Sequence, residues 1–212
     1  MVLASLFTAA ALFGSTFAHF SLVYPPTRGF EHDIEDQAPC GGFNNVTART
    51  PFPIGDSKIA LQSSHDANIL VMISFAESPS NITSFTTQAN GQPRNPVENW
   101  FRISGKDVCR DIDIASGNYT EAVDGANATL LVQYVGGDSP LFQCSDIVLR
   151  TNASVPNNLT CTGTTSENTS IPDHHSSTAT STATSTPNGA NMLSCAIGSV
   201  VASAVALTYL LV

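Results

Sequence analysis

The sequence predicts an all-β domain, a β-sandwich held by disulfides. Three observations carry this. The apolar residues of the central region come in short runs rich in Val, Ile, Phe and Tyr, separated by clusters of Gly, Pro, Asn and Ser, which is the punctuation of strands and turns. Outside the two ends, no long stretch keeps a helical period. Finally, Cys40, Cys109, Cys144 and Cys161 fall in this region, and an even count in an exported domain reads as a pair of disulfides.

The candidate strands follow in order. Residues 58–62 form a short one, and residues 68–77, NILVMISFAE, a buried one. Residues 99–104 come next, where Trp100 and Phe101 read as core packing rather than as a platform for a sugar. In residues 128–135, ATLLVQYV, alternation puts Ala128, Leu130, Val132 and Tyr134 on one face. The last candidate is 146–151. Between Pro39 and Phe43, Gly41-Gly42 supplies tight-turn chemistry beside a cysteine.

The two ends are of a different kind. Residues 1–18 carry no charge and finish Thr16-Phe17-Ala18, the small-residue pattern of a signal peptide cut after Ala18, although no Lys or Arg opens it. The domain is then residues 19–161. Residues 162–187 are mostly Ser and Thr and cannot bury enough surface to fold, so they read as an O-glycosylated stalk. His174 and His175 belong to that composition. Residues 188–212 pair small residues with an uncharged apolar tail, the pattern of a glycosylphosphatidylinositol (GPI) attachment signal that is removed. Asn188 is the first choice of attachment residue, with Gly189 and Ser185 as alternatives, and Cys195 lies in the discarded tail. This places the protein on the extracellular face of the plasma membrane, with transfer to the cell wall as an option.

Seven N-x-Ser/Thr sequons, at Asn45, Asn81, Asn118, Asn127, Asn152, Asn158 and Asn168, agree with a secreted glycoprotein. All 17 acidic and 8 basic residues lie between the apolar ends, for a net charge of −9. An acidic chain without a basic cluster is a poor partner for nucleic acid.

A cut after Ala18 makes His19 a different chemical object. As residue one it offers a metal both its α-amine and its ring Nδ1. The amine titrates near pH ~7.7–8.0, so a metal displaces its proton readily. A second histidine opposite completes three nitrogens in a T, a set that favours Cu(II). His65, in the polar stretch SSHDAN between two candidate strands, is placed to supply it. The competitor is His32 in EHDIED, where Glu31, Asp33, Glu35 and Asp36 could make an oxygen-rich site but read more simply as a solvated acidic loop. No H-E-x-x-H, G-x-S-x-G, P-loop or C-x-x-C occurs, and nothing singles out a glycosidase carboxylate pair.

The stretches HFSLVYPPTRGF, APCGGFNN, RTPFPI and PLFQCSDIVL, in that order, closely resemble the fungal copper-acquisition factor family. Its members are GPI-anchored and related in fold to lytic polysaccharide monooxygenases. The resemblance spans His19 to about Cys161. It implies an immunoglobulin-like β-sandwich with a histidine brace for one Cu(II), held by His19 through amine and ring, by His65 through its ring, and by an aspartate. Asp138, in the Gly-rich GGDSP turn, is the first choice; Asp146 is the alternative and Asp66 the third. The resemblance also implies the disulfides Cys40–Cys144 and Cys109–Cys161, which sequence alone leaves open. A carboxylate on the metal favours Cu(II) over Cu(I) and occupies a position an oxygen reaction would need. The resemblance therefore implies a monomer that holds and delivers copper without catalysis, its partner a membrane copper importer or metalloreductase. A copper monooxygenase acting on chitin or glucan, and a structural cell-wall glycoprotein, are the competing readings.

Overall fold

The computed structural model describes residues 19–137 and 139–167. In these the chain forms β1 (Phe20–Tyr24), β2 (Thr50–Pro53), β3 (Ser57–Ser63), β4 (Ala67–Ser74), α1 (Thr83–Thr86), β5 (Glu98–Ser104), β6 (Asp107–Ile112), β7 (Asn127–Val135), β8 (Leu141–Arg150) and β9 (Thr164–Glu167). A three-stranded sheet, β1-β3-β6, faces a six-stranded sheet, β2-β8-β7-β4-β5-β9.

The expected strands are all present, with shifted ends. The fourth stops at Ser74, before Ala76 and Glu77, and the eighth begins at Leu141 rather than Asp146. Ala128, Leu130, Val132 and Tyr134 enter the core between the sheets together with Phe20, Ile59, Ile69 and Phe101. The other face of β7 is buried as well. There Leu131 packs with Cys40, Met72, Phe85, Phe142 and Cys144, because α1 and the long β1–β2 connection cover that side. A strand buried on both faces loses the apolar-polar alternation by which single-faced strands are read. Phe101 is core, as expected, while Trp100 on the opposite face of β5 is only half-buried.

Besides β1, three strands lie outside the candidates. β2 is TPFP; its prolines cannot donate to a ladder, which is tolerated because β2 is an edge strand paired in parallel with β8. β6 interleaves Val108 and Ile112 with charged residues. β9 lies within the segment, 162–187, that the sequence reads as stalk, and it pairs antiparallel with β5, Phe101 opposite Glu167 and Ser104 opposite Thr164. An edge strand needs main-chain partners more than apolar side chains, so Ser/Thr composition does not bar it.

Cys40 bonds to Cys144 and Cys109 to Cys161, the pairing implied by the resemblance. The first fastens the β1–β2 connection onto β8. The second fastens β6 to the segment leading into β9. Gly41 and Gly42 sit at φ +59° and +80°, and a Cβ on Gly41 would stand 2.5 Å from the Phe142 carbonyl oxygen. The close approach of this turn to β8 thus requires glycine.

The sheets are also joined by a side chain. Gln143, on β8 and almost fully buried, donates from Nε2 to the Phe20 carbonyl at 2.7 Å and accepts from the Leu22 N–H at 2.9 Å. Its amide acts toward β1 as a neighbouring strand's peptide would.

Candidate metal centre

His19 lies one residue before β1 and is held by its backbone. The Ser64 N–H donates to the His19 carbonyl at 3.2 Å, and the His19 N–H donates to Ser64 Oγ at 3.2 Å. Ser64 opens the turn between β3 and β4, so the β1–β3 pairing, with Phe20 opposite Ser63, delivers His19 beside the residue that precedes His65.

The His65 turn is braced from below. The Ser63 and Tyr134 hydroxyls lie 2.8 Å apart, and the His65 carbonyl, 2.5 Å from Ser63 Oγ and 3.1 Å from the Tyr134 oxygen, accepts from this pair. Tyr134 is fully buried and stacks on Phe20, centroids 4.9 Å apart and rings 3° from parallel. Burial pushes its hydroxyl above the ordinary tyrosine pKa, against the hydrogen bond with Ser63. The residue after His19 and the residue beneath His65 are therefore one packed pair. The His65 side chain itself is exposed.

The aspartates part company. Asp138 lies outside the described residues. Gly136 packs against Ala67, at the start of β4, and the Tyr134 ring, where a Cβ would meet both at 2.8 Å. Asp146, the alternative ligand, lies inside the protein, only 2% exposed. Its carboxylate is enclosed, taking Arg28 Nε at 2.9 Å and Nη2 at 2.8 Å, Thr129 Oγ1 at 2.7 Å and the Thr47 N–H at 2.8 Å. Burial opposes its ionisation, but the hydrogen bonds from Arg28, Thr47 and Thr129 prevail and hold its pKa below the ordinary value. Both of its oxygens therefore already have partners within the fold. Asp66 turns toward β5, where the Ser104 hydroxyl and then Arg102, 3.3 Å away, lower its pKa.

The acidic loop also departs from expectation. Glu31, His32, Asp33 and Asp36 are exposed, but Glu35 is only 2% exposed. His19 Nδ1 donates to Glu35 Oε2 at 3.0 Å, and Gln143 Nε2 donates to Glu35 Oε1 at 2.8 Å. The Glu35 carbonyl accepts the Phe142 N–H at 2.8 Å. Its burial is a long-range product: the Cys40–Cys144 disulfide draws the loop onto β8 beside Gln143, and that disulfide is the signal that could have revealed it. His32 stays outside, its ring 3.6 Å from the His19 ring, with Phe30 edge-on at 6.5 Å.

Among the described residues no three His, Cys, Asp or Glu side chains are already gathered as a metal sphere. What is gathered is His19, the His65 turn and one buried carboxylate, a nitrogen and oxygen set suited to a tetragonal Cu(II). The six sequon asparagines among the described residues, Asn45, Asn81, Asn118, Asn127, Asn152 and Asn158, are all exposed.

The chain is thus a disulfide-fastened β-sandwich with a histidine immediately before its first strand. Residues 17–166 match the family model for the BIM1-like copper acquisition factor domain, and the chain belongs to that family. It is 40% identical over 168 residues to the copper acquisition factor BIM1 of Cryptococcus neoformans var. grubii, covering 79% of this chain and 74% of the relative. It is 41% identical over 146 residues to BIM1 of C. neoformans var. neoformans, covering 68% and 66%. Among solved structures, an AA10 lytic polysaccharide monooxygenase from Photorhabdus luminescens aligns over 52% of this chain and 65% of its own, at 13% identity and a TM-score of 0.36.

Proposed function

We propose that the mature chain begins at His19 and binds one Cu(II) at the cell surface through a histidine brace, holding it for delivery rather than using it in catalysis. The His19 amine and Nδ1 and the His65 ring supply three nitrogens, and Asp138 supplies an oxygen. The protein is carried to the extracellular face and retained there by a GPI anchor, with Asn188 as the attachment residue. The recipient is a membrane copper importer or a metalloreductase.

The observation that carries this reading is the reciprocal hydrogen bonding of His19 and Ser64, at 3.2 Å each way. It supports the reading by holding His19 against the turn that bears His65, with the Phe20–Tyr134 stack beneath both. Amine, imidazole and imidazole are the donors that suit tetragonal Cu(II).

Two measurements test it. The protein starting at His19 binds one Cu(II) with a nitrogen-rich paramagnetic signal, and one extra residue before His19 abolishes that site, because the amine is then an amide. Survival of the signal after the extension would exclude the brace. Incubation with reductant, peroxide and chitin or glucan yields no oxidised oligosaccharides; products that depend on His19 would make the protein a monooxygenase instead.

A further inference from the structure

The buried carboxylates among the described residues are Asp146 and Glu35. A buried charge is paired or sits on a metal, because leaving water uncompensated costs far more than a fold can spare. Asp146 obeys through Arg28, with both side chains fully enclosed. Glu35 forms no ion pair with any Arg or Lys among the described residues. Its side-chain partners are a neutral amide, Gln143, and the His19 ring. Once His19 Nδ1 holds a metal, the ring proton that meets Glu35 is gone, and the metal stands in its place.

Glu35 Oε2 lies 3.0 Å from His19 Nδ1, the ring nitrogen through which the brace takes its metal. Two donors at right angles on one ion, each about 2.0–2.1 Å from it, stand about 2.9 Å apart. The spacing that holds a proton between Nδ1 and Oε2 is also the spacing of two neighbouring ligands on a tetragonal ion. Glu35 is built into that position, with its carbonyl on Phe142 N–H, its Oε1 on Gln143, and its Cα 3.4 Å from where a Cβ of Gly41 would stand.

We infer that Glu35 is a copper ligand, bound through Oε2 beside His19 Nδ1. The inference rests on the brace reading and extends it. On metal binding the Nδ1–H proton leaves to solvent, and Nδ1 and Oε2 would then both be free to hold Cu(II). With Glu35 as an anionic donor, part of the Cu(II) charge is matched, and one-electron reduction by an external reductase leaves a hard carboxylate oxygen poorly suited to Cu(I). Glu35 thus ties release to reduction.

The test uses the chain starting at His19, as wild type and as Glu35→Gln, which keeps the size and an oxygen for Gln143. Near-UV circular dichroism confirms the fold. Glu35→Gln changes the Cu(II) paramagnetic spectrum and weakens Cu(II) binding at least tenfold, while Cu(I) affinity changes less. A variant spectrum superimposable on wild type overturns the inference. If Glu35→Gln fails to fold, X-ray structure determination of the copper-loaded wild type decides: a Glu35 oxygen bonded to copper supports it, and one beyond bonding distance overturns it. The brace reading fails separately, by a copper signal that survives extension before His19, whatever Glu35→Gln does.

Discussion

Arg28 closes on Asp146 as a two-point pair inside the protein, Nε to one oxygen at 2.9 Å and Nη2 to the other at 2.8 Å. Arg28 Nη1 adds the carbonyls of Phe43 and Asn44, each at 3.2 Å. One side chain therefore ties the beginning of the β1–β2 connection to its middle and both to β8. Removing either partner leaves a charge stranded in the interior. Arg28→Ala and Asp146→Ala should each cost about 3–5 kcal/mol, read from chemical denaturation. A loss under about 1 kcal/mol would mean that the pair is solvated. Any Asp146 variant that still folds should give the wild-type Cu(II) spectrum.

The same pair sets a response to acid. The Asp146 pKa is lowered in the folded protein, since the hydrogen bonds from Arg28, Thr47 and Thr129 outweigh burial. Its contribution is then complete above the unfolded value of about 3.9 and is lost as pH falls through the lower folded value. The stability gap between wild type and Asp146→Asn should be constant from about pH 7 to pH 5 and shrink below about pH 4. A gap independent of pH down to about pH 2 would contradict the assignment.

Gln143→Leu keeps the volume and removes the amide that serves Phe20, Leu22 and Glu35 at once. An unsatisfied buried polar group costs about 1–3 kcal/mol, and those three groups lose their partner together. The loss should exceed that of an ordinary buried glutamine. It should also weaken Cu(II) binding, because β1 carries His19. Stability and copper titration of the one variant check both.

The motifs that mark the family were legible as segments, but their meaning lay in how they meet. Arg28 of YPPTRGF finds Asp146 of PLFQCSDIVL, and Cys40 of APCGG finds Cys144. His19 and His65 are candidates the sequence offers because each stands out locally, one at a cleavage pattern and one in a turn. Glu35 does not stand out, since its local sequence EHDIED is that of a solvated loop and its burial is decided at Gln143, 108 residues away. The β-branched runs of β4 and β7 announced themselves. β2, β6 and β9 did not, because prolines, charges and Ser/Thr composition mask strands whose support is mainly a neighbour's backbone.

Tyr24, Tyr119 and Tyr134 all have raised pKa values, chiefly through burial, and Tyr119 is pushed up to about 12. A raised value stabilises fully below the unfolded value of about 10 and is lost as pH rises through the folded one. The domain should show little tyrosinate absorbance at about pH 10 and unfold as it appears. Ready ionisation there, with near-UV circular dichroism unchanged, would contradict this burial.

The six-stranded sheet ends on one side in β2, with Pro51 and Pro53, and on the other in β9, four residues of Thr, Ser and Glu. Neither rim is a good template for a stranger's strand: one lacks donors, the other is short and polar. Copies crowded on a surface could therefore touch without zippering into fibrils. A chain cut at Cys161 would forfeit that protection, because β5, with Phe101 and Ile103, would become the naked rim.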